Sequence, residues 1–166
     1  MTMTEIVLDE LYPLQKGLDE EIHEKHHVDY ESTHNKRILA LLVELGEMAN
    51  ETRCFKFWSL KPPSEKAVIL DEYADGMHFF LSLGIPLGVE KYTHKFVPDQ
   101  KGLTEQILLT YARVTDLLGS FDEKHYALAF GCFLNILPLL GYSGEDAIGA
   151  YKKKLQVNYV RQEQKY

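Results

Sequence analysis

Cysteine and proline are scarce in this 166-residue chain, which has two cysteines and six prolines. Cys54 and Cys132 form no Cys-x-x-Cys pair, and two thiols are too few for a disulfide scaffold or a structural zinc site. No segment shows sustained alternation with β-branched residues, so we predict no strand. No glycine-rich phosphate loop is present, which argues against Walker-type nucleotide binding.

Positive charge is also limited. The chain has 18 lysines and arginines against 25 acidic residues, a formal net charge of −7. General nucleic-acid binders are usually basic, so we do not expect nucleic acid as a partner. The length and the 45% content of hydrophobic residues predict one globular domain over residues 1–166, with a sizeable core.

Signals for export or membrane insertion are weak. The N-terminal sequence MTMTEIVLDELYP lacks a basic region followed by an apolar run, so we expect no signal peptide. Residues 126–142 are strongly apolar but fall short of a membrane span, and they include Asn135 and Pro138. We interpret this stretch as a buried core helix, and we expect a cytoplasmic protein with reduced thiols and no membrane partner.

Apolar residues recur every three to four positions along most of the chain, a spacing typical of helices. In the first such segment, Pro13 predicts either a kink or a helix that begins near Tyr12. Ser64 and Ser143 are predicted N-caps of later helices. The predicted helices cover residues 8–22, 33–57, 64–84, 104–118, 123–140 and 143 onward, with a long connection over 85–102. The pattern therefore predicts an all-α bundle of about five to six helices.

Two carboxylate pairs lie in apolar predicted helices. Glu44 and Glu47 are three residues apart in one helix, and Glu72 and Asp75 are three apart in the next. That spacing places each pair on one helix face. Burying four carboxylates without a cation would cost free energy, so we expect a cation among them. If the two helices pack face to face, the four carboxylates form an all-oxygen site of the kind that Mg²⁺ or Mn²⁺ prefers. Such a site can hold two ions about 4 Å apart, an arrangement used in phosphoryl chemistry.

Two other interpretations of these carboxylates stay open. All four side chains could lie on solvated helix faces. A di-iron bundle is the second alternative, but such sites use Glu-x-x-His pairs, whereas Glu47 and Asp75 occupy the last position here.

One segment matches the zinc-peptidase pattern His-Glu-x-x-His literally, from His23 to His27. No third ligand and no strand-rich peptidase frame accompany it. We therefore interpret this segment as a solvent-facing helix end.

Polar and aromatic residues follow both carboxylate pairs. Asn50, Lys56 and Trp58 lie near the end of the second predicted helix. They indicate either a nucleotide pocket with an aromatic stack or a surface helix end anchored by the tryptophan. His78 and Phe79 follow the second pair, where they would line a base or sugar site, although Phe79 fits a core position equally well.

Basic residues are concentrated near the C-terminus. Five lie in the last 15 residues: Lys152, Lys153, Lys154, Arg161 and Lys165. In an acidic protein this concentration predicts either an anion-attracting patch or a solvated tail helix.

Several of these blocks together resemble the dimeric all-α dUTPases, which are related to MazG-type nucleotide pyrophosphatases. The two carboxylate blocks are ELGEMANETRCFKFWS and EYADGMHFFLSLG, and the similarity extends from LQKGLD to YKKKLQVNYVRQ. The resemblance implies an all-α NTP pyrophosphatase fold and a homodimer. It also implies Mg²⁺-dependent hydrolysis of dUTP to dUMP and pyrophosphate, with activity on dUDP.

The resemblance also implies roles for individual residues. The implied ligands of two or more Mg²⁺ ions are Glu44, Glu47, Glu72 and Asp75. Glu44 resembles the residue that orients and deprotonates the attacking water. Gln15 matches the residue that reads the uracil edge, with Asp19 as its companion. The other implied substrate contacts are Asn50, Lys56, Trp58, His78, Phe79, Lys154, Asn158 and Arg161.

Three positions depart from the family pattern. Asp19 and Leu155 stand where asparagine is expected, and Lys165 stands where glycine often precedes the last tyrosine. These departures affect base reading and the C-terminal segment rather than the metal site.

Three functions remain as alternatives. The first is a dUTP diphosphatase, and the second is an all-α NTP pyrophosphatase for another base, such as that of dCTP. Base selectivity separates these two. The third is a non-enzymatic helical regulatory or interaction protein, in which neutralising Glu47 or Asp75 would cause no loss of function.

Overall fold

The computed structural model describes residues 4–97 and 101–164. Its elements, in chain order, are β1 Glu5–Val7, α1 Leu11–His26, α2 Tyr30–Thr52, α3 Lys66–Gly84, a 3₁₀ turn Ile85–Leu87, β2 Thr93–Lys95, α4 Leu103–Asp116, α5 Glu123–Leu134, α6 Ile136–Leu140 and α7 Gly144–Glu163. The prediction of an all-α helical fold is confirmed.

A small sheet contradicts the prediction that the chain has no strand. β1 and β2 pair antiparallel, with Ile6 opposite His94. Each strand has only three residues, too few for a visible alternation of side chains. Ile6 is buried against the start of α7, where a Cβ at Gly144 would lie only 3.0 Å from the Ile6 Cβ. The sheet therefore ties the N-terminus to the connection before α4 and to α7.

Helix ends follow local capping chemistry. Because α1 begins at Leu11, Pro13 lies in its first turn, which is the second of the two predicted arrangements. α2 begins three residues earlier than predicted, where the Asp29 side chain accepts a hydrogen bond from the Ser32 backbone at 2.7 Å. It ends at Thr52 rather than near residue 57, because Arg53 adopts a left-handed φ of 58°.

Of three other predictions about helix boundaries, one is confirmed and two are wrong. Ser64 is not an N-cap, because α3 begins at Lys66 and the Ser64 hydroxyl contacts the Glu51 carboxylate instead. Ser143 does cap α7, in a capping box with Asp146. The predicted helix over residues 123–140 is interrupted at Asn135, which separates α5 from α6.

The core is built around α3, which contacts α1, α2, α5 and α7. On its α5 side, Phe80 stacks on Phe130 with ring centroids 4.7 Å apart. Tyr73 stacks on Phe133 and donates a hydrogen bond of 2.9 Å to the Phe133 carbonyl. This packing fixes the rotation of α3, so its polar residues face α1, α2 and α7.

The apolar segment over residues 126–142 contributes to this core, since Tyr126, Phe130 and Leu137 are buried. In the part of the chain that the structure describes, no single helix is both long and apolar enough to cross a membrane. Two consecutive segments reach that length and apolarity only when they are taken together, Glu123–Leu140 and Gly144–Glu163. They are bent by 111° relative to each other.

Candidate active site

Carboxylates from α2 and α3 converge where these helices pack against each other. We call Glu44, Glu72 and Asp75 the acidic cluster. One carboxylate oxygen of each lies within 4.8 Å of the other two. Glu47, one turn after Glu44, is more exposed but interacts with both Glu44 and Glu72. The two sequence pairs therefore meet in space across the helix interface.

The electrostatics of the acidic cluster disfavour the ionisation of all three carboxyl groups at once. Burial, the charge of Asp75 and contact with Glu47 raise the pKa of Glu44 to about 8. Burial and the charges of Asp75 and Glu47 raise the pKa of Glu72 to about 7. Burial also raises the pKa of Asp75, against the opposing effect of Lys154. At neutral pH the cluster therefore needs either protons or a cation.

A divalent cation fits the residues present. Glu44 Oε2 is buried and has no hydrogen-bond partner within the protein, which is a costly state for a carboxylate oxygen. The converging ligand atoms are all carboxylate oxygens, the donors preferred by hard cations such as Mg²⁺. Among residues 4–97 and 101–164, this is the only group of three or more His, Cys, Asp or Glu side chains that converge in this way.

Lys154 on α7 lies beside the acidic cluster and pairs with Asp75. Its ammonium nitrogen lies 2.9 Å from Asp71 and 3.2 Å from Asp75, and its side chain is only 6% exposed. Sequence reasoning did not single out Asp71, although its position one turn before Asp75 was a visible signal. Lys154 here pairs with carboxylates and does not line the neighbouring cavity.

A cavity of about 320 Å³ begins at the acidic cluster and extends between α1, α3 and α7. That volume lies at the lower end of the range for small-molecule sites. The predicted site residues that line it are Gln15, Asp19, Glu44, Asp75, His78, Phe79, Asn158 and Arg161. The structure therefore brings eight predicted residues from four helices to one cavity.

A hydrogen-bond network lines the cavity around Gln15 and His78, one turn along α3 from Asp75. The Gln15 amide nitrogen donates to Asp19 Oδ1 at 2.9 Å. Its amide oxygen accepts from the Tyr151 hydroxyl at 2.9 Å and lies 2.6 Å from His78 Nδ1. The His78 ring stacks on Tyr151 with centroids 4.2 Å apart. Both amide atoms of Gln15 are therefore engaged by the protein.

Asp19 connects this network to α2. It accepts a hydrogen bond from the Tyr30 hydroxyl at 3.0 Å. Burial raises the pKa of Asp19, and its hydrogen bonds and the Arg37 charge oppose that rise. The Arg37 guanidinium donates to the carbonyls of Ser82 and Tyr30, at 2.9 and 2.8 Å.

Sequence reasoning missed four of these residues. One of them offered a signal in the sequence, since Ser82 lies one turn after His78 on the same helix face. The missed residues are Tyr30, Arg37, Ser82 and Tyr151.

Three predicted substrate contacts lie elsewhere: Asn50 is on the exposed face of α2, and Lys56 and Trp58 lie beyond the helix end. Trp58 is 65% exposed and packs against the neighbouring Phe57, with ring centroids 5.1 Å apart. Asn50, Lys56 and Trp58 do not line the cavity.

His23 of the His-Glu-x-x-His segment lines the cavity, contrary to the prediction that this segment faces solvent. In the His-Glu-x-x-His segment, His23 contacts the Tyr30 ring edge-on at 4.6 Å, and His26 bonds Gln162 at 3.0 Å. Among the C-terminal basic residues, Lys152 pairs with Glu10 at 3.0 Å. Lys165 lies outside the described residues.

A family model described as dUTPase matches residues 7–166, which include every residue placed in the cavity and in the acidic cluster. A comparison with curated proteins found no match.

Proposed function

Because the chain belongs to the all-α dUTPase family and is therefore a nucleotide diphosphatase acting on dUTP, we propose that it hydrolyses dUTP to dUMP and pyrophosphate in a Mg²⁺-dependent reaction. Activity on dUDP belongs to the same proposal. The observation that supports it most is that the acidic cluster and the hydrogen-bonded residues Gln15, Asp19 and His78 line the same cavity.

We assign the metal to the four carboxylates predicted from the sequence: Glu44, Glu47, Glu72 and Asp75. Two or more Mg²⁺ ions, or Mn²⁺ in their place, would neutralise the phosphates and polarise their oxygens. This neutralisation is needed because dUTP carries about four negative charges and the chain itself has a net charge of −7.

The residues around the cavity then divide the substrate between two ends. The triphosphate lies at the acidic cluster, where Asn158 and Arg161 contribute polar and cationic groups to the lining. The uracil lies at the Gln15 and Asp19 end, and Phe79 between the two ends contacts the sugar. Glu44, whose Oε2 has no partner within the protein, accepts the proton of the attacking water.

The active form is a homodimer in this proposal. Leu39 is 63% exposed on α2 and Val43, one turn later, is 50% exposed. Leu108 on the adjacent α4 is 63% exposed. Such an apolar face is suited to cover by a second copy. Asn50, Lys56 and Trp58 stay predicted substrate contacts, and a single domain over residues 1–166 and a cytoplasmic location stay predictions.

The test is pyrophosphate release from dUTP, dCTP, dTTP, dATP, dGTP and UTP, with Mg²⁺ and with EDTA. Mg²⁺-dependent turnover of dUTP, with little turnover of the others, is the expected result. Preferential turnover of dCTP would support an NTP pyrophosphatase for another base and overturn the uracil assignment. Full activity in EDTA would overturn the metal assignment.

A further inference from the structure

Lys154 donates hydrogen bonds to two carboxylates of α3 at once. Its ammonium nitrogen lies 2.9 Å from Asp71 Oδ2, 3.2 Å from Asp75 Oδ1 and 3.4 Å from Asp75 Oδ2. Asp71 and Asp75 are one turn apart on α3 and share one face of the helix. The Lys154 side chain is only 6% exposed, so its ammonium has little access to water. The two aspartates are therefore its counter-ions.

The two aspartates differ in what else surrounds them. Asp75 belongs to the acidic cluster, where one of its oxygens lies within 4.8 Å of carboxylate oxygens of Glu44 and Glu72. Asp71 lies outside the acidic cluster, and its side chain is 56% exposed. A divalent cation at the cluster would therefore share Asp75 with Lys154 but leave Asp71 to Lys154 alone.

Sharing Asp75 would bring two positive charges close together. A lysine ammonium and a divalent cation repel each other, and the repulsion is strongest where water is scarce. With Asp75 as its only counter-ion, Lys154 would oppose the binding of the cation, because its nearly buried ammonium cannot reach solvent unless the side chain moves. Asp71 supplies a second negative charge at 2.9 Å, which offsets the ammonium even when Asp75 is engaged elsewhere.

We propose that Asp71 is a positioning residue that holds the Lys154 ammonium while Asp75 binds a divalent cation, so that the lysine and the cation occupy neighbouring places together. The inference rests on the metal assignment in the proposed function. Asp71 is not itself a ligand of the cation and acts only through Lys154. Its removal should therefore weaken cation binding, because Lys154 then competes for Asp75.

The first test measures cation affinity without nucleotide. Binding of Mn²⁺ would be followed from the electron paramagnetic resonance signal of the free ion, in wild type, Asp71→Asn, Lys154→Met and the double variant. We expect Asp71→Asn to weaken Mn²⁺ binding about fivefold when Lys154 is present. When Lys154 is replaced by methionine, the same substitution should change the affinity by less than about twofold, because no ammonium remains to be held.

The two backgrounds separate positioning from a simple charge effect. Loss of a negative charge near the cluster would weaken cation binding equally in both backgrounds, and that result overturns the inference, as does an unchanged affinity in Asp71→Asn. The matched control is Asp116→Asn on α4, which removes an aspartate that is 49% exposed and pairs with Arg113. It should bind Mn²⁺ as wild type does, and an effect equal to that of Asp71→Asn would also overturn the inference.

The second test observes the ammonium directly. We would record ¹H–¹⁵N NMR spectra of the lysine ammonium groups, with the Lys154 signal assigned by its loss in Lys154→Arg. In wild type, we expect this signal to persist when Mg²⁺ is added, because protons in charge-assisted hydrogen bonds exchange slowly with water. In Asp71→Asn, saturating Mg²⁺ should broaden or remove it. Persistence in Mg²⁺-saturated Asp71→Asn, or loss in Mg²⁺-saturated wild type, overturns the positioning role.

The outcomes also separate this inference from the proposed function. A wild-type protein that binds no Mn²⁺ contradicts the metal assignment and overturns the inference with it. Mn²⁺ binding with an equal effect of Asp71→Asn in both backgrounds overturns the inference alone. The expected affinities in a protein that releases no pyrophosphate from dUTP contradict the proposed activity and still support the positioning role.

Discussion

Lys154 on α7 pairs with Asp75 on α3, with its ammonium nitrogen 3.2 Å from the Oδ1 oxygen. The pair joins the basic C-terminal helix to a carboxylate of the acidic cluster. Its partners raise the pKa of Lys154 despite burial, so this side chain stays charged. A fixed positive charge beside the cluster offsets part of its negative charge.

Replacing Lys154 should therefore destabilise the fold more than replacing its neighbour. Lys154→Met leaves Asp71 and Asp75 without their shared cation, and we expect the free energy of unfolding to fall by about 2 kcal/mol. Lys153→Met, at an exposed position on the same helix, should change it by less than about 0.5 kcal/mol. Urea denaturation without divalent cation measures both, and equal effects would show that the ion pair contributes little.

Glu44→Gln should abolish turnover while the fold persists. The variant keeps the shape of the side chain but removes the carboxylate that accepts a proton, so we expect kcat to fall at least about 100-fold. Its melting temperature without divalent cation should not decrease, because the amide cannot ionise and so removes the cost of ionising a buried carboxyl group beside Asp75. The control is Glu31→Gln, at an exposed position in the first turn of the same helix. Retention of most activity in Glu44→Gln would refute the assigned role.

Leu39→Glu should weaken the proposed dimer. A charge on the exposed face of α2 would be buried if a second copy covers that face, so we expect a shift from dimer to monomer in sedimentation velocity. Leu128→Glu provides the control, because Leu128 is 48% exposed on α5. A wild-type chain that sediments as a monomer would contradict the dimer, and an intact Leu39→Glu dimer would exclude this face.

The sequence was sufficient for the features that depend on local spacing. Pairs of carboxylates three residues apart fall on one helix face whatever the rest of the chain does, so Glu44 and Glu72 could be identified early. The end of α2 could not be predicted from the sequence, because it depends on the left-handed conformation of Arg53. That single residue directs Trp58 into an exposed loop, away from the cavity.

Contacts between distant segments were also beyond sequence reasoning. The two strands pair Ile6 with His94, and each is too short to show a pattern. The Gln15 amide meets Tyr151 across 136 positions of sequence. Periodicity identifies the face of a helix but not its partner, so Tyr151 could be assigned only from the packing of α7 on α1 and α3.

The stability of the metal-free protein should depend on pH in a direction opposite to that of ordinary acid denaturation. The pKa of Glu44 is raised to about 8 and that of Glu72 to about 7. The folded state therefore binds more protons than the unfolded state between about pH 5 and pH 8, so the contribution of these groups to stability decreases as pH rises through that window. In EDTA, we expect the melting temperature to fall from pH 6 to pH 8.5, whereas saturating Mg²⁺ should remove most of that decrease by compensating the ionised carboxylates. Glu44→Gln in EDTA should show a shallower decrease than wild type, while Glu31→Gln should match wild type. The same pH dependence with and without Mg²⁺ would show that the cation does not bind at these carboxylates.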